Sequence, residues 1–137
     1  MALILDTGPL LAVLDRSDAD HMACRRLIES ATEPLLIPSP VLPELDYWIR
    51  VRLHPGVLSA VLEDIVAGAY LVEDLAPADY LRVRELCERY ASADIGFVDA
   101  SVFAVVERLG EAKLATLDRR HFGLLRPRHA EALALLP

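Results

Sequence analysis

The chain has 137 residues, enough for one domain of ordinary size that buries roughly two-thirds of its unfolded surface, so no second domain is required. Apolar residues make up 54% of it and aromatics only 6%, yet no stretch is long enough to span a membrane; the excess implies a deeply buried core or apolar surface kept for a partner. A net charge of −7 argues at first against nucleic acid, but every basic residue except Lys113 is arginine, which suits phosphate, and carboxylates that bind a divalent cation reverse their local sign.

Ala2–Leu5 is a short apolar run that reads as a buried strand ending at Asp6. Gly8–Leu14 predicts a short helix, followed by a polar turn over Asp15–Asp20. From Ala19 to Ala31 the apolar positions fall at helical spacing, with acids in the first turn. Leu35–Ile37, bounded by Pro34 and Pro38, predicts the second strand. Pro40 opens a helix to about Leu53, in which Pro43 is tolerable because it lies in the first turn. Pro55–Gly56 breaks the chain, and the next helix carries Leu58, Val61, Leu62 and Ile65 on one face before ending at Gly68. Tyr70–Val72 reads as the third strand. Pro77 starts a helix to about Tyr90, Ala91–Gly96 reads as a loop, and Phe97–Leu109 is an apolar helix stopped by Gly110. Leu114–Leu117 is the fourth strand, with Asp118 just past its end, and Ala132–Leu136 the fifth. Short buried strands alternating with helices predict an α/β sandwich with a mostly parallel sheet. Active sites in such sheets lie beyond the carboxyl ends of strands, where Asp6 and Asp118 both stand.

Cys24 and Cys87 belong to no C-x-x-C pattern and lie on apolar helical stripes, so they read as reduced core cysteines. The start MALILDTG lacks a basic n-region and Asp6 interrupts its apolar run. A signal peptide is therefore not expected, and the expected compartment is the cytoplasm.

Four acids are placed where acids are costly. Asp6 follows Leu3-Ile4-Leu5; Glu44 lies within one helical turn of Val41 and Trp48; Asp99 shares a helical face with Val102, Phe103 and Val106; and Asp118 ends the strand Leu114–Leu117. Each also has a plain structural explanation. Asp6 and Asp99 could cap the helices that follow them, Asp118 could hold a turn, and Glu44 could be a first-turn helix acid. Taken together these explanations weaken, because four independent coincidences would have to place acids at strand ends and on apolar faces, and no matching set of apolar-face lysines or arginines accompanies them. Carboxylates gathered together repel unless a cation compensates. Mg²⁺ prefers oxygen ligands, whereas His21, His54, His121 and His129 are scattered, read mostly as surface residues, and form no zinc set. A cation held by such acids activates water and neutralises charge on a phosphodiester.

The blocks L-I-L-D-T at Asp6, S-P-V-L-P-E-L at Glu44, G-F-V-D-A-S at Asp99 and L-A-T-L-D-R-R-H-F at Asp118 resemble the PIN-domain nucleases, and more closely the VapC toxins of bacterial toxin–antitoxin pairs. The resemblance runs the length of the chain, as one PIN domain over residues 1–137. It implies a three-layer α/β/α sandwich around a central, mostly parallel, five-stranded sheet. It also implies Mg²⁺, with Mn²⁺ as a substitute, held by Asp6, Glu44, Asp99 and Asp118. Thr7 and Thr116 match hydroxyls that support the site in such proteins, and Asp94 matches a position that is often polar or acidic and is expected to support the site as well, with a plain loop Asp as the alternative. Further implications are cleavage of RNA, inhibition by a small VapB-type antitoxin, and a homodimer. Products with a 5′-phosphate and a 3′-hydroxyl are expected. Arg119 and Arg120, directly after Asp118, are placed to meet the RNA backbone, with a solvated basic turn as the alternative. A catalytically weak RNA-binding or antitoxin-binding domain of the same fold is the rival functional reading.

The segment Pro40–Gly68 carries Leu42, Leu45, Trp48, Ile49, Leu53 and Leu58. These read first as ordinary core, and the resemblance implies an antitoxin helix nearby. Asp6-Thr7-Gly8 is also the signature tripeptide of aspartic proteases, but their all-β architecture does not suit a chain dominated by helical periodicity. Phosphoacceptor domains fit no better: position 8 is Gly where one type needs a second Asp, and Lys113 begins a strand where the other needs Lys at a strand's end.

Overall fold

Leu3, Ile4 and Leu5 are almost wholly shielded from water because β1 (Leu3–Leu5) is the middle strand of the sheet. The computed structural model describes residues 1–137. After β1 come α1 (Thr7–Leu14), α2 (His21–Ser30), β2 (Leu35–Pro38), α3 (Val41–Arg52), α4 (Val57–Val66) and β3 (Leu71–Glu73). Then follow α5 (Pro77–Arg89), a 3₁₀ turn (Ala91–Ala93), α6 (Phe97–Leu109), β4 (Lys113–Ala115), α7 (Arg119–Leu124) and β5 (Ala134–Leu136).

The strands lie in the order β3-β2-β1-β4-β5, and all four pairings are parallel, so the sheet is parallel throughout rather than mostly so. Ile4 sits in register with Leu36 on one side and Leu114 on the other. Strands this short are apolar on both faces because helices cover both. Right-handed crossovers put the helices before β3 over one face and those between β3 and β4 over the other. In agreement, α1 packs on α2 and α3, while α5 packs on α6.

The chain leaves β1 outward through β2 to β3, then returns to lay β4 against the opposite side of β1. The carboxyl ends of β1 and β4 therefore diverge into helices on different faces and leave a crevice between them.

Local chemistry sets the element ends. Pro77 opens α5 where its missing N–H costs nothing, and the Asp79 carboxylate accepts from the Ala76 N–H at 2.8 Å. Gly110 ends α6 at φ +68°, a left-handed conformation that a side chain would oppose. Several boundaries differ from those predicted by one or two residues, and one helix was not predicted. The fourth strand stops at Ala115, because Thr116 and Leu117 already turn toward α7; α2 starts at His21; and α7, six residues long, was too short for its periodicity to show. Cys24 is fully buried and Cys87 partly so, both as free thiols.

The Asp6-Thr7-Gly8 tripeptide passes from a parallel strand into a helix, which excludes the aspartic-protease architecture. No helix is long and apolar enough to cross a membrane.

Candidate active site

The backbone N–H of Asp6 donates to the carbonyl of Ala115 at 2.9 Å, pinning the residue after β1 to the end of β4. From the other strand end, Thr116 donates its hydroxyl to Asp6 Oδ2 at 2.7 Å and accepts from the Asp118 N–H at 3.0 Å. One buried threonine thus holds two acids that are 112 positions apart in sequence in a single frame. Glu44, in the first turn of α3, and Asp99, in the first turn of α6, come in from the flanking helices.

All four acids line one cavity of about 440 Å³, together with Thr7, Gly8, Leu11, Trp48, Arg52 and Leu117. Gly8 permits the close wall between α1 and the β4–α7 turn, since a Cβ there would stand 3.3 Å from the Leu117 side chain.

Asp6 occupies the N-cap position of α1 but makes no capping bond, and Asp99 lies inside α6, whose N-cap is Gly96. Glu44 makes neither a hydrogen bond nor an ion pair, though a first-turn acid suits the helix dipole. Only Asp118 is spent on a cap: its Oδ1 accepts from the His121 N–H at 2.9 Å.

Asp6 is 5% exposed, and its Oδ1 has no hydrogen-bond partner at all. Burial pushes its carboxyl up to about 7; the Thr116 hydroxyl and the nearby Thr7 backbone N–H oppose that, while the charges of Asp99 and Glu44 add to it. Asp99 is also raised, first by burial and then by Asp118, with His121 working against it. No lysine or arginine pairs with Asp6, Glu44, Asp99 or Asp118. Arg52 lines the cavity, but its Nη2 is given to Asp15 at 2.8 Å and Asp18 at 3.0 Å. An orphaned buried carboxylate oxygen among convergent oxygen donors fits a hard divalent cation.

His121 was missed at the sequence level. Its Nδ1 stands 2.9 Å from Asp118 Oδ2 and 3.2 Å from Asp99 Oδ2, so it bridges two of the acids. The available signal was its spacing: an Asp N-cap at 118 places residue 121 directly over the capping carboxylate. Arg52 and Trp48 were likewise not read as cavity residues, because a helix face gives no sign of which sheet end it overlooks.

Thr116 lies where a supporting hydroxyl should, and Thr7 lines the cavity with its buried hydroxyl unpartnered. Asp94 is not brought to the cavity. It is exposed at φ +58°, ending the 3₁₀ turn, a left-handed position that Asp tolerates. Arg119 and Arg120 are also outside the lining. Arg119 reaches back to the carbonyls of Leu135, at 3.2 Å, and Pro137, so it ties α7 to the end of β5; Arg120 is exposed.

Similarity to known proteins agrees with this geometry. The family model of the PIN domain matches residues 3–125. Ribonuclease VapC26 of Mycobacterium tuberculosis is 31% identical over 135 residues, which is 98% of this chain and 100% of that protein. The crystal structure of Mycobacterium tuberculosis VapC20, described as a sarcin–ricin-loop-cleaving toxin, matches with a TM-score of 0.72 at 24% identity, covering 82% of this chain and 86% of that one. VapBC2 from Rickettsia felis, solved bound to a DNA fragment from its promoter, matches with a TM-score of 0.69 at 18% identity over 98% and 97% of the two chains. These two structures speak for the fold. By its matched residues, its full-length relative and its sheet order, the chain belongs to the PIN-domain family, in the VapC branch.

Proposed function

We propose that residues 1–137 form a single PIN domain that works as a divalent-metal-dependent endoribonuclease, the toxin of a type II toxin–antitoxin pair. The observation that carries this reading is Asp6, a buried carboxylate with an unpartnered oxygen and no cationic side chain, facing three further acids. Structure alone does not retain such a residue, since removing its charge would relieve the fold. The name of the full-length relative, a ribonuclease, supplies the reaction class.

Asp6, Glu44, Asp99 and Asp118 would hold the ion, with Mg²⁺ the ordinary choice for oxygen donors and Mn²⁺ a substitute. When bound, the ion supplies an activated water and neutralises charge developing on the phosphodiester. Thr116 keeps Asp6 in one orientation through its short hydroxyl bond. Arg52, which lines the cavity where Arg119 and Arg120 do not, would be the cationic residue beside the RNA backbone, since its Nε and Nη1 make no protein hydrogen bond. Trp48, half-exposed on the same wall, offers a ring on which a base can stack.

Partners follow from the VapC branch: a small VapB-type antitoxin, a second copy of the chain, and the cytoplasm as the compartment. Leu45 and Ile49 are fully buried, so much of the α3–α4 apolar surface is core. Tyr47, Val51, Leu62 and Val66 are exposed on the same hairpin and offer apolar contact to an antitoxin helix.

Cleavage of structured RNAs with Mg²⁺, with Mn²⁺ and with EDTA tests the reading. Cleavage is expected only with the metals, leaving 5′-phosphate and 3′-hydroxyl ends. Asp6→Asn and Asp99→Asn should each reduce it roughly 1,000-fold. Undiminished cleavage in both variants rejects the site, and RNA binding without turnover in the unmutated chain rejects the enzyme.

A further inference from the structure

We propose that His121 is itself a metal ligand, joining Asp99 and Asp118 through Nδ1, and that it shifts the site's preference from Mg²⁺ toward a first-row transition ion such as Mn²⁺. The inference rests on the reading above, that this cavity holds a divalent cation. One acceptor atom from each of Asp99, Asp118 and His121 lies within 4.8 Å of the others. Two donors in neighbouring positions on an octahedral ion, each about 2.1 Å from it, are about 3 Å apart. The separations of 2.9 Å and 3.2 Å from Nδ1 to the two carboxylate oxygens have that size. A second observation points independently to a ligand in the cavity that Asp99 and Asp118 line: Asp6 Oδ1, buried and unpartnered.

The local fold delivers the imidazole without rearrangement. Asp118 Oδ1 caps α7 through the His121 N–H, so Oδ2 remains the oxygen that faces the ring, and ligation leaves the cap intact. The other histidines are committed elsewhere. The rings of His21 and His129 meet the carbonyls of Ala12 at 2.7 Å and Glu111 at 2.6 Å, and His54 accepts from the Gly56 N–H. His121 is the one histidine whose ring meets carboxylates. An all-oxygen site suits Mg²⁺, whereas one imidazole nitrogen in the set raises affinity for Mn²⁺ and the later first-row ions relative to Mg²⁺.

Electron spin-echo spectroscopy of Mn²⁺ bound to the full chain tests this without reference to catalysis. The expected result is one imidazole nitrogen coupling in the unmutated protein, changed by ¹⁵N-labelling of histidine and absent from His121→Gln. Competition titrations should show Mn²⁺ affinity falling on the order of 10-fold in His121→Gln while Mg²⁺ affinity stays nearly constant. The ¹⁵N label needs no variant, so the test stands even if His121→Gln folds poorly. Bound Mn²⁺ with no nitrogen coupling overturns the proposal and leaves the carboxylate site standing. Failure of the unmutated chain to bind either ion overturns the reading on which it rests.

Discussion

Asp6 and Asp79 are buried to nearly the same degree, at 5% and 3% exposure, yet they stand in opposite circumstances. Asp79, in the first turn of α5, accepts from the Ala76 N–H at 2.8 Å and from Arg108 Nε at 2.9 Å. Arg108 in turn reaches Glu73, and on the same side Arg82 pairs with Glu107 at 2.7 Å. Every charge there has its opposite. At the crevice between β1 and β4 four acids face one histidine and an arginine already given to Asp15 and Asp18. Burial of an acid is thus no mark of function by itself. The mark is burial without a resident cation, since natural folds pair the charges they bury for structure alone.

The sharpest way to break this contrast is to change pH in the absence of metal. Folding raises the Asp6 carboxyl from its ordinary 3.8 to about 7, so the folded chain holds that proton more tightly than the unfolded chain does. The stability linked to this group is present in full below about pH 4 and is lost as pH rises toward 7, amounting to about 4 kcal/mol. Urea unfolding in EDTA should therefore show a less stable protein at pH 8 than at pH 5, and Asp6→Asn should flatten the difference. Metal affinity is expected to run the other way and to rise through pH 7, because an ion held there needs the ionised carboxylate. Equal stability at both pH values would place Asp6 with the satisfied acids.

A smaller loss is expected on the paired side. Arg108→Ala leaves the Asp79 charge buried beside a vacancy and should cost about 2 kcal/mol of unfolding free energy, below the usual figure because the arginine is 30% exposed. RNA cleavage per folded molecule should be unaffected. The opposite pattern, activity lost at full stability, would connect the two regions functionally.

The smallest effect belongs to the hydroxyl that joins Asp6 to Asp118. Thr116→Val keeps the shape but removes the bonds at 2.7 Å and 3.0 Å. Mn²⁺ binding should weaken roughly 10-fold, with the sheet intact by circular dichroism. Unchanged binding would show that the backbone alone orients Asp6.

The elements were largely readable because their causes are local. Leu3-Ile4-Leu5 and Leu35–Ile37 advertise buried strands, Gly110 stops α6, and the alternation of strand and helix forces a parallel sheet. The four acids stood out by position, since each interrupts an apolar run or face. What could not be read was their company. Asp118 was legible as both a cap and a site acid, and it makes the capping bond. Arg119 looked ready for RNA because its neighbour is Asp118, whereas its guanidinium reaches the carbonyls of Leu135 and Pro137, near in space only through the β4–β5 pairing. His121 looked like a surface residue because six residues of helix reveal no inward face.

Sequence by itself therefore determined the alternating architecture and the identity of the misplaced acids, because period, turn chemistry and the cost of burying charge act over a few neighbouring residues. Tertiary structure alone decided which buried acids received an arginine, and which converged on a crevice with only a histidine between them. The reason is strand order and helix length: returning β4 to the far side of β1 brings residues 6, 99 and 118 to one place, while Arg108 stands in the last turn of α6 and the β4–β5 pairing gives Arg119 other partners.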